Sequence, residues 1–584
     1  MATYDVIIRG GTIVDGTGAP RFTGDVGIKD GLIAAVGKVH GDAAQEIDAG
    51  GKVVAPGWVD VHTHYDGQAT WDQEMAPSSW HGVTTVVMGN CGVGFAPAAP
   101  NRHEWLIGLM EGVEDIPGTA LAEGMKWDWE TFPEYLDALE RLPRTVDVGT
   151  HVPHGAVRAY VLGDREQPGA VPTSDDIQKM ADIVEEGVRA GALGFSTSRT
   201  VLHRSIDGEL VPGTTATEEE LVAIGRAMGK VGYGVFELAS DMRRDWNEFG
   251  WMGQISRETG LPVTFAALQS IAKEQPLSEQ IECMRAENDN GANIVAAIAL
   301  RGNGIIMAWQ GTVHPFRLRP SWQAIADLPW DQQRAKLLDP AFKAQLLSEQ
   351  CDYSQVPEDL IGISKVVAAG WAMQFEMDPE FNYEPQADES IAARAAAAGV
   401  SGDEYAYDLL CRDNGKGFIY LPILNYADGN LDFLEALQAS DDTINSLSDG
   451  GAHCGTICDA ASPTFMLQHW VRDRKRGERI SLETAIKRQC YDTARLYGLN
   501  DRGVIAPGYI ADLNVIDLER IKLGKPWLAF DLPAGGKRLL QKAEGYDCTI
   551  KNGVVTFQNG EWTGATPGGL IRGPQQVELR AAAE

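Results

Sequence analysis

The sequence predicts an α/β protein in which eight parallel strands close into a barrel, inserted in a small β-sandwich built from both chain ends. Three observations carry that reading. Strand-like and helix-like segments alternate through the middle of the chain, the pattern of crossovers on a parallel sheet. Short, glycine-punctuated strands fill residues 1–56 and 500–584, too few at either end to bury a face alone. One strand near the first junction, Val59-Asp60-Val61-His62-Thr63-His64, ends in two imidazoles. Eight-stranded (β/α)8, or TIM, barrels carry their chemistry at such C-terminal strand ends.

The N-terminal segments DVIIRGGTIVDGTG and GDVGIKDGLIAAVG are apolar runs broken by glycine, and Asp30-Gly31 is a hairpin turn signal. GVIAPGYIADLNVID (503–517) and YDCTIKNGVVTFQNGEW (546–562) repeat the style, with Asn552-Gly553 and Asn559-Gly560 turns. Folding both ends together gives one β-sandwich, with the barrel occupying 57–499. Its expected strands are 59–64, 84–90, 146–152, 192–198, 233–239, 262–268, 293–300 and 443–449. Helical stretches between them include SDDIQKMADIVEEGVRAG, capped by Ser174, and TEEELVAIGRAMGKVG, capped by Thr217. Residues 301–415 are too many for a loop. Trp309, Trp322, Trp330 and the alanine-rich 391–398 predict an inserted helical subdomain placed to cap the barrel mouth, and the tryptophans hint at a large or apolar substrate.

With 50 basic and 82 acidic residues the formal net charge is −32, a field that repels nucleic acid and anionic lipid. No segment approaches the roughly 20 apolar residues of a membrane helix. The start MATYDVIIRGG lacks a basic region followed by an apolar core, and the 8 cysteines form no paired framework. A cytoplasmic protein with reduced thiols is expected.

Alternate side chains of an extended strand share a face, so His62 and His64 point the same way at a separation one metal ion bridges. Cys91 ends the second strand in MGNCGVG, where glycines permit a sharp turn and a thiolate ligates zinc well. Asp449 ends the last strand in SLSDGGAHCG, placed to ligate metal and to take a proton from activated water. Arg199 and His203 follow the fourth strand, where site loops lie, and His453 lies close after Asp449; all three are candidates for substrate contact. His151 and His154 end the third strand, with a hydrogen-bonded structural role expected.

PGWVDVHTHYD, WHGVTTVVMGNCG (80–92), GALGFSTSR (191–199), LSDGGAHCG and TARLYGLNDRGVIAPGYIADLNVID (493–517) together resemble the amidohydrolase superfamily, and specifically its N-acyl-D-amino-acid deacylase (D-aminoacylase) branch. The resemblance covers nearly the whole chain. It implies that His62 and His64 bind metal, that Cys91 is a ligand or bridge, that Asp449 is the catalytic carboxylate, and that the protein is a homo-oligomer. The resemblance also implies one metal-binding histidine after the fifth strand, in a His-x-Arg setting, and another after the sixth. Here FELASDMRRD puts Asp241 before Met242-Arg243, and AALQSIAK puts Gln269 or a neighbour at the second place; no histidine lies between His203 and His314. Asp241 is the expected substitute ligand, with Glu237 ranked behind it, and Arg243 matches the arginine that would pair a substrate carboxylate.

The expected activity is metal-dependent hydrolysis of a linear amide, the N-acyl bond of an N-acyl-(D-)amino acid. One or two divalent ions, zinc or another transition metal, would activate water, and Asp449 would serve as general base and then acid. The competing readings are an amidohydrolase of cyclic amides or carbamates, since one fold hosts many reactions, and a non-catalytic binding protein with a degraded metal site.

Overall fold

A computed structural model of the chain describes residues 2–167, 169–270, 274–377 and 381–577. All eight expected strands form one parallel sheet: β1 (Trp58–Asp60), β2 (Val83–Met88), β3 (Asp147–Pro153), β4 (Gly194–Arg199), β5 (Val235–Ser240), β6 (Val263–Ala266), β7 (Ile294–Ile298) and β8 (Thr443–Asn445). Neighbours in the sheet follow chain order. The circle closes beyond the ends of β1 and β8, where Asp449 donates its backbone N–H to His62 O (3.1 Å) and His64 donates to Gly450 O (2.7 Å). Val59, Val61, Val87, Leu193, Val235, Val295 and Ile444 fill the lower interior, with Tyr497 and Ile571 added from outside the strands. The barrel interior is therefore a packed core beneath its C-terminal face.

The helix Ser174–Ala190 is capped by Thr173, one residue earlier than expected, through a reciprocal box with Asp176. Ser174 is already helical there, whereas Thr173 has the extended backbone a cap needs. Thr217 caps Glu218–Val231 as expected, accepting from the Glu220 N–H.

Both chain ends contribute to a single nine-stranded sheet in which Leu513–Ile516 runs antiparallel to Val53–Pro56. Ile8, Ile28, Val54, Leu513 and Ile550 share its core. Asp30-Gly31, Asn552-Gly553 and Asn559-Gly560 all have positive φ, as two-residue hairpin turns require. The sheet is bolted to the barrel by Lys551, fully buried, at 2.8 Å from Asp147 and 3.0 Å from Asp512.

The C-terminal part is more interleaved with the barrel than a division at residue 500 implies. The strands Trp527–Leu532 and Gly536–Leu540 pair with each other alone and lie over the barrel mouth, where Leu539 N–H binds Cys454 O and His81 Nε2 binds Gln541 O at 2.9 Å. Farther on, Ile571 N–H binds Val148 O (2.8 Å) in β3.

The insertion is not purely helical. A three-stranded antiparallel sheet joins Asn303–Met307, Phe375–Glu376 and Ile419–Leu424, the last beyond the expected boundary at 415. Ile306 and Tyr420 face one apolar cluster while Met307, Ile419 and Leu421 face another. A strand buried on both faces reads as an unbroken apolar run, which hides its period. Trp309 and Trp322 are buried in the second cluster with ring centroids 5.2 Å apart, so these tryptophans build the insertion's own core and not a substrate surface. The insertion does sit at the barrel mouth, with Ile306 N–H bonded to Thr456 O (2.7 Å) in the loop after β8.

Candidate metal centre

The two histidines following β1 are buried, their rings edge to face at 5.3 Å. Their Nε2 atoms converge on one oxygen, Asp449 Oδ1, at 3.5 Å from His62 and 3.7 Å from His64. Cys91 Sγ lies 3.4 Å from His62 Nε2, and the ligand atoms of His62, His64 and Cys91 all fall within 4.8 Å of one another. Tetrahedral zinc with its usual bond lengths separates such donors by roughly 3.3–3.7 Å. The local backbone is bent to make this possible. Cys91 (φ +53°), Asp449 (φ +48°) and His453 (φ +49°) all adopt the left-handed region, a strain that concentrates at functional sites. Gly92 has φ +68°, and a Cβ there would sit 3.0 Å from Ser198 N, so both backbone conformation and close approach favour glycine.

Two buried carboxylates flank the histidines from behind. Glu237 of β5 accepts the Cys91 N–H (3.0 Å) and stands 3.9 Å from His62 Nδ1. Glu114 stands 3.3 Å from His64 Nδ1. Burial, reinforced by the negative charge of Asp449, pushes Glu237 up to about 8 despite the Cys91 N–H. Glu114 is raised well above the carboxylate range by burial and then by Asp449, Asp66 and Glu237. The Cys91 thiol is likewise raised by burial and by Glu237 and Glu114. Burial holds His62 down to about 3, in the neutral form that ligation requires. So many confined acids repel one another, and a cation at their centre reverses that balance.

Not every expected residue belongs to this cluster. Asp241 lies outside it: its carboxylate accepts from Thr200 Oγ1 (2.5 Å) and Val201 N–H (2.9 Å), bracing the loop after β4. Glu237, ranked behind it from the sequence, occupies the interior instead. Gln269 is tied by its side chain to Asp428 (2.7 Å) and by its N–H to Asn425 (2.8 Å), while residues 271–273 lie outside the described residues. Arg199 is committed to Glu248 (2.9 Å) and stacks on Trp246, a structural use in place of substrate contact. Arg243 is half-buried and pairs with Asp245 (3.1 Å). His203 does face the centre, hydrogen-bonded to Ser198 Oγ (2.8 Å) and held down to about 3 by burial and by His453 and His64. His453 Nε2 lies 3.6 Å from Glu114. His154 has the structural role expected, between Thr197 (2.8 Å) and Glu220 (2.9 Å). His151 departs from expectation: neither ring nitrogen has a hydrogen-bond partner, and the ring stacks on Tyr497. Glu114 was missed altogether, because nothing in HEWLIGLMEGVE marks one glutamate of an ordinary helix as a site residue.

The residues present fit a zinc-type ion. They supply one sulfur, two imidazole nitrogens and a carboxylate oxygen, and they leave His64 Nδ1, both Glu114 oxygens and Glu237 Oε1 buried without hydrogen-bond partners. A second ion has no comparable set, since among the described residues His62, His64 and Cys91 form the one His/Cys/carboxylate group of this compactness.

A parallel barrel with two buried histidines, a cysteine and a carboxylate gathered at its C-terminal mouth defines a metallohydrolase class, and the wider comparisons agree. The chain matches the amidohydrolase family over residues 45–557 and belongs to it. It is 26% identical over 579 residues to a D-aminoacylase of Alcaligenes xylosoxydans xylosoxydans, covering 97% of either chain. A solved D-aminoacylase with a binuclear metal centre superposes with a TM-score of 0.64 at 23% identity, covering 98% of this chain and 100% of that one. An N-acyl-D-glutamate deacylase from Bordetella bronchiseptica, complexed with zinc and a phosphonate mimic of the tetrahedral intermediate, gives 0.63 at 23% identity over 97% and 99%. Among the described residues no helix is long and apolar enough to cross a membrane.

Proposed function

We propose that this amidohydrolase cleaves the N-acyl bond of N-acyl-D-amino acids, using one divalent ion of the zinc type held by His62, His64 and Cys91 with Asp449 beside them. The convergence of both Nε2 atoms and Asp449 Oδ1 on one point carries the reading. Bound there, the ion would supply Lewis acidity to the scissile carbonyl and to water. Asp449 is held below the usual carboxylate range: burial opposes this, but its approach to His64 outweighs it. It accepts the proton of the attacking water and returns it to the leaving nitrogen. His203 and His453 are assigned to substrate contact as part of this proposal.

A small pocket beside Asp449 is lined by Gln68, Cys454, Cys458, Asp459 and Arg538. Arg538 is the cation of that lining, and it is held by Asp531 (2.8 and 2.9 Å) and the Ala76 carbonyl (3.0 Å), much as Arg199 and Arg243 are held by acids of their own. A cytoplasmic homo-oligomer is part of the same proposal.

The test is metal content per chain on purified protein, together with hydrolysis of a panel of N-acyl-D- and N-acyl-L-amino acids. About one equivalent of zinc and chelator-sensitive cleavage of D-substrates is the expected result. No metal uptake, or no turnover once zinc is restored, would overturn it. Turnover confined to cyclic amides would move the activity to the other branch of the family.

A further inference from the structure

Glu114 is the last residue of the helix His103–Glu114, in the crossover between β2 and β3 and not on any barrel strand. Its backbone is held from several sides. Its carbonyl accepts from the His453 N–H. Asp115, next in the chain and in left-handed backbone, binds Thr312 Oγ1 (2.8 Å), Gly455 N–H (3.0 Å) and Thr456 Oγ1 (3.2 Å). The side chain is thereby driven into the barrel mouth, 1% exposed, with neither oxygen hydrogen-bonded. One oxygen faces His64 Nδ1 at 3.3 Å and the other His453 Nε2 at 3.6 Å. His64 Nδ1 has no other partner.

A neutral imidazole carries one proton. If His64 ligates through Nε2, which points at Asp449, its proton sits on Nδ1 and needs an acceptor there. Carboxylates in this place fix the tautomer and ring orientation of metal-binding histidines and raise their basicity. An isolated buried carboxylate is otherwise hard to account for, since burial without a partner is costly.

We infer that Glu114 is the positioning residue of the metal centre: it accepts the Nδ1–H of His64, so that Nε2 is free for the ion, and it holds His453 at the mouth with its second oxygen. This rests on the reading of His64 as a ligand in the proposed function. Because Asp115 anchors the insertion and the loop after β8, Glu114 also places the ligand set under the control of how those segments dock.

The experiment uses the full chain stripped of metal, with zinc returned in competition with a chromophoric chelator. Wild-type uptake of zinc tests the proposed function; Glu114→Gln tests this inference. Glu114→Gln should bind zinc roughly 10–100-fold more weakly. Its metal-free circular dichroism should match wild type, and its cobalt-loaded form should show a shifted ligand-field spectrum. Wild-type affinity and an unchanged cobalt spectrum in Glu114→Gln would overturn the inference. If Glu114→Gln does not fold, the 15N spectrum of the wild-type zinc protein decides instead. A His64 ring protonated at Nδ1 supports the assignment, and one protonated at Nε2 refutes it.

Discussion

Asp449 and His62 are joined twice. The Asp449 backbone N–H binds His62 O at 3.1 Å, and the Asp449 carboxylate stands 3.5 Å from His62 Nε2. The bond that closes the barrel between its first and last strands therefore also sets the spacing between a ligand and the proton carrier. Barrel closure and site assembly are one event in this chain.

Asp449→Asn retains that backbone bond and leaves His62, His64 and Cys91 in place. With three of the four donors kept, zinc should still load at saturating metal while kcat falls by about 10²–10⁴, the usual worth of a positioned acid–base group. Metal analysis beside single-substrate kinetics checks both halves. Activity within tenfold of wild type would remove Asp449 from the proton path.

Glu237 and Asp241 make opposite predictions. Glu237→Gln disturbs the groove behind His62 and Cys91 and should weaken zinc binding by roughly 10–100-fold. Asp241→Asn disturbs only the brace to Thr200 and Val201, so its zinc affinity should match wild type, at a stability cost of about 1 kcal/mol. Chelator competition on the two variants decides, and the reverse order would restore Asp241 as the ligand.

Lys551 has no exposed side-chain surface and two aspartate partners, Asp147 of the barrel and Asp512 of the terminal sheet. Lys551→Met removes the cation the two acids share and leaves Asp512 without its ion-pair partner, while Arg502 still pairs with Asp147 at 2.7 Å. Breaking such a pair costs about 3–5 kcal/mol. Urea unfolding should register that loss without a change in zinc affinity.

His81 is buried at the base of the mouth hairpin, with Nε2 donating to Gln541 O (2.9 Å) and Nδ1 accepting from Thr464 (2.8 Å). Burial, with a contribution from Arg301, pushes it down to about 4 against the Gln541 carbonyl. The unfolded chain, titrating near 6.5, binds the proton first. This contribution is therefore complete above about pH 6.5 and is lost as pH falls toward 4. Thermal melts across that window should show a shallower acid loss in His81→Gln than in wild type. Parallel curves would mean that His81 titrates alike in both states.

The sequence alone determined the eight strands, the pairing of both chain ends and the gathering of His62, His64, Cys91 and Asp449 at the barrel mouth. Asn-Gly and Asp-Gly turns set the hairpins, and His62, His64, Cys91 and Asp449 all lie just beyond the ends of β1, β2 and β8. Because β1 stops at Asp60, the two imidazoles are aimed by the closure bonds of Thr63, His64 and Asp449 and not by strand alternation. The choice between Glu237 and Asp241 did not follow from local signals either. Both have the same parity along β5, but the chain has left the strand by Asp241, and Thr200 and Val201 draw its carboxylate aside. Arg199 and Arg243 followed local pattern into roles that Glu248 and Asp245 had already claimed. Glu114 and Arg538 come from a crossover helix and a C-terminal hairpin, and only the docking of those segments over the barrel brings them to the mouth. Turn chemistry and strand ends are local and were legible; the meeting of elements far apart in sequence depends on how their surfaces pack, and that the tertiary structure decided.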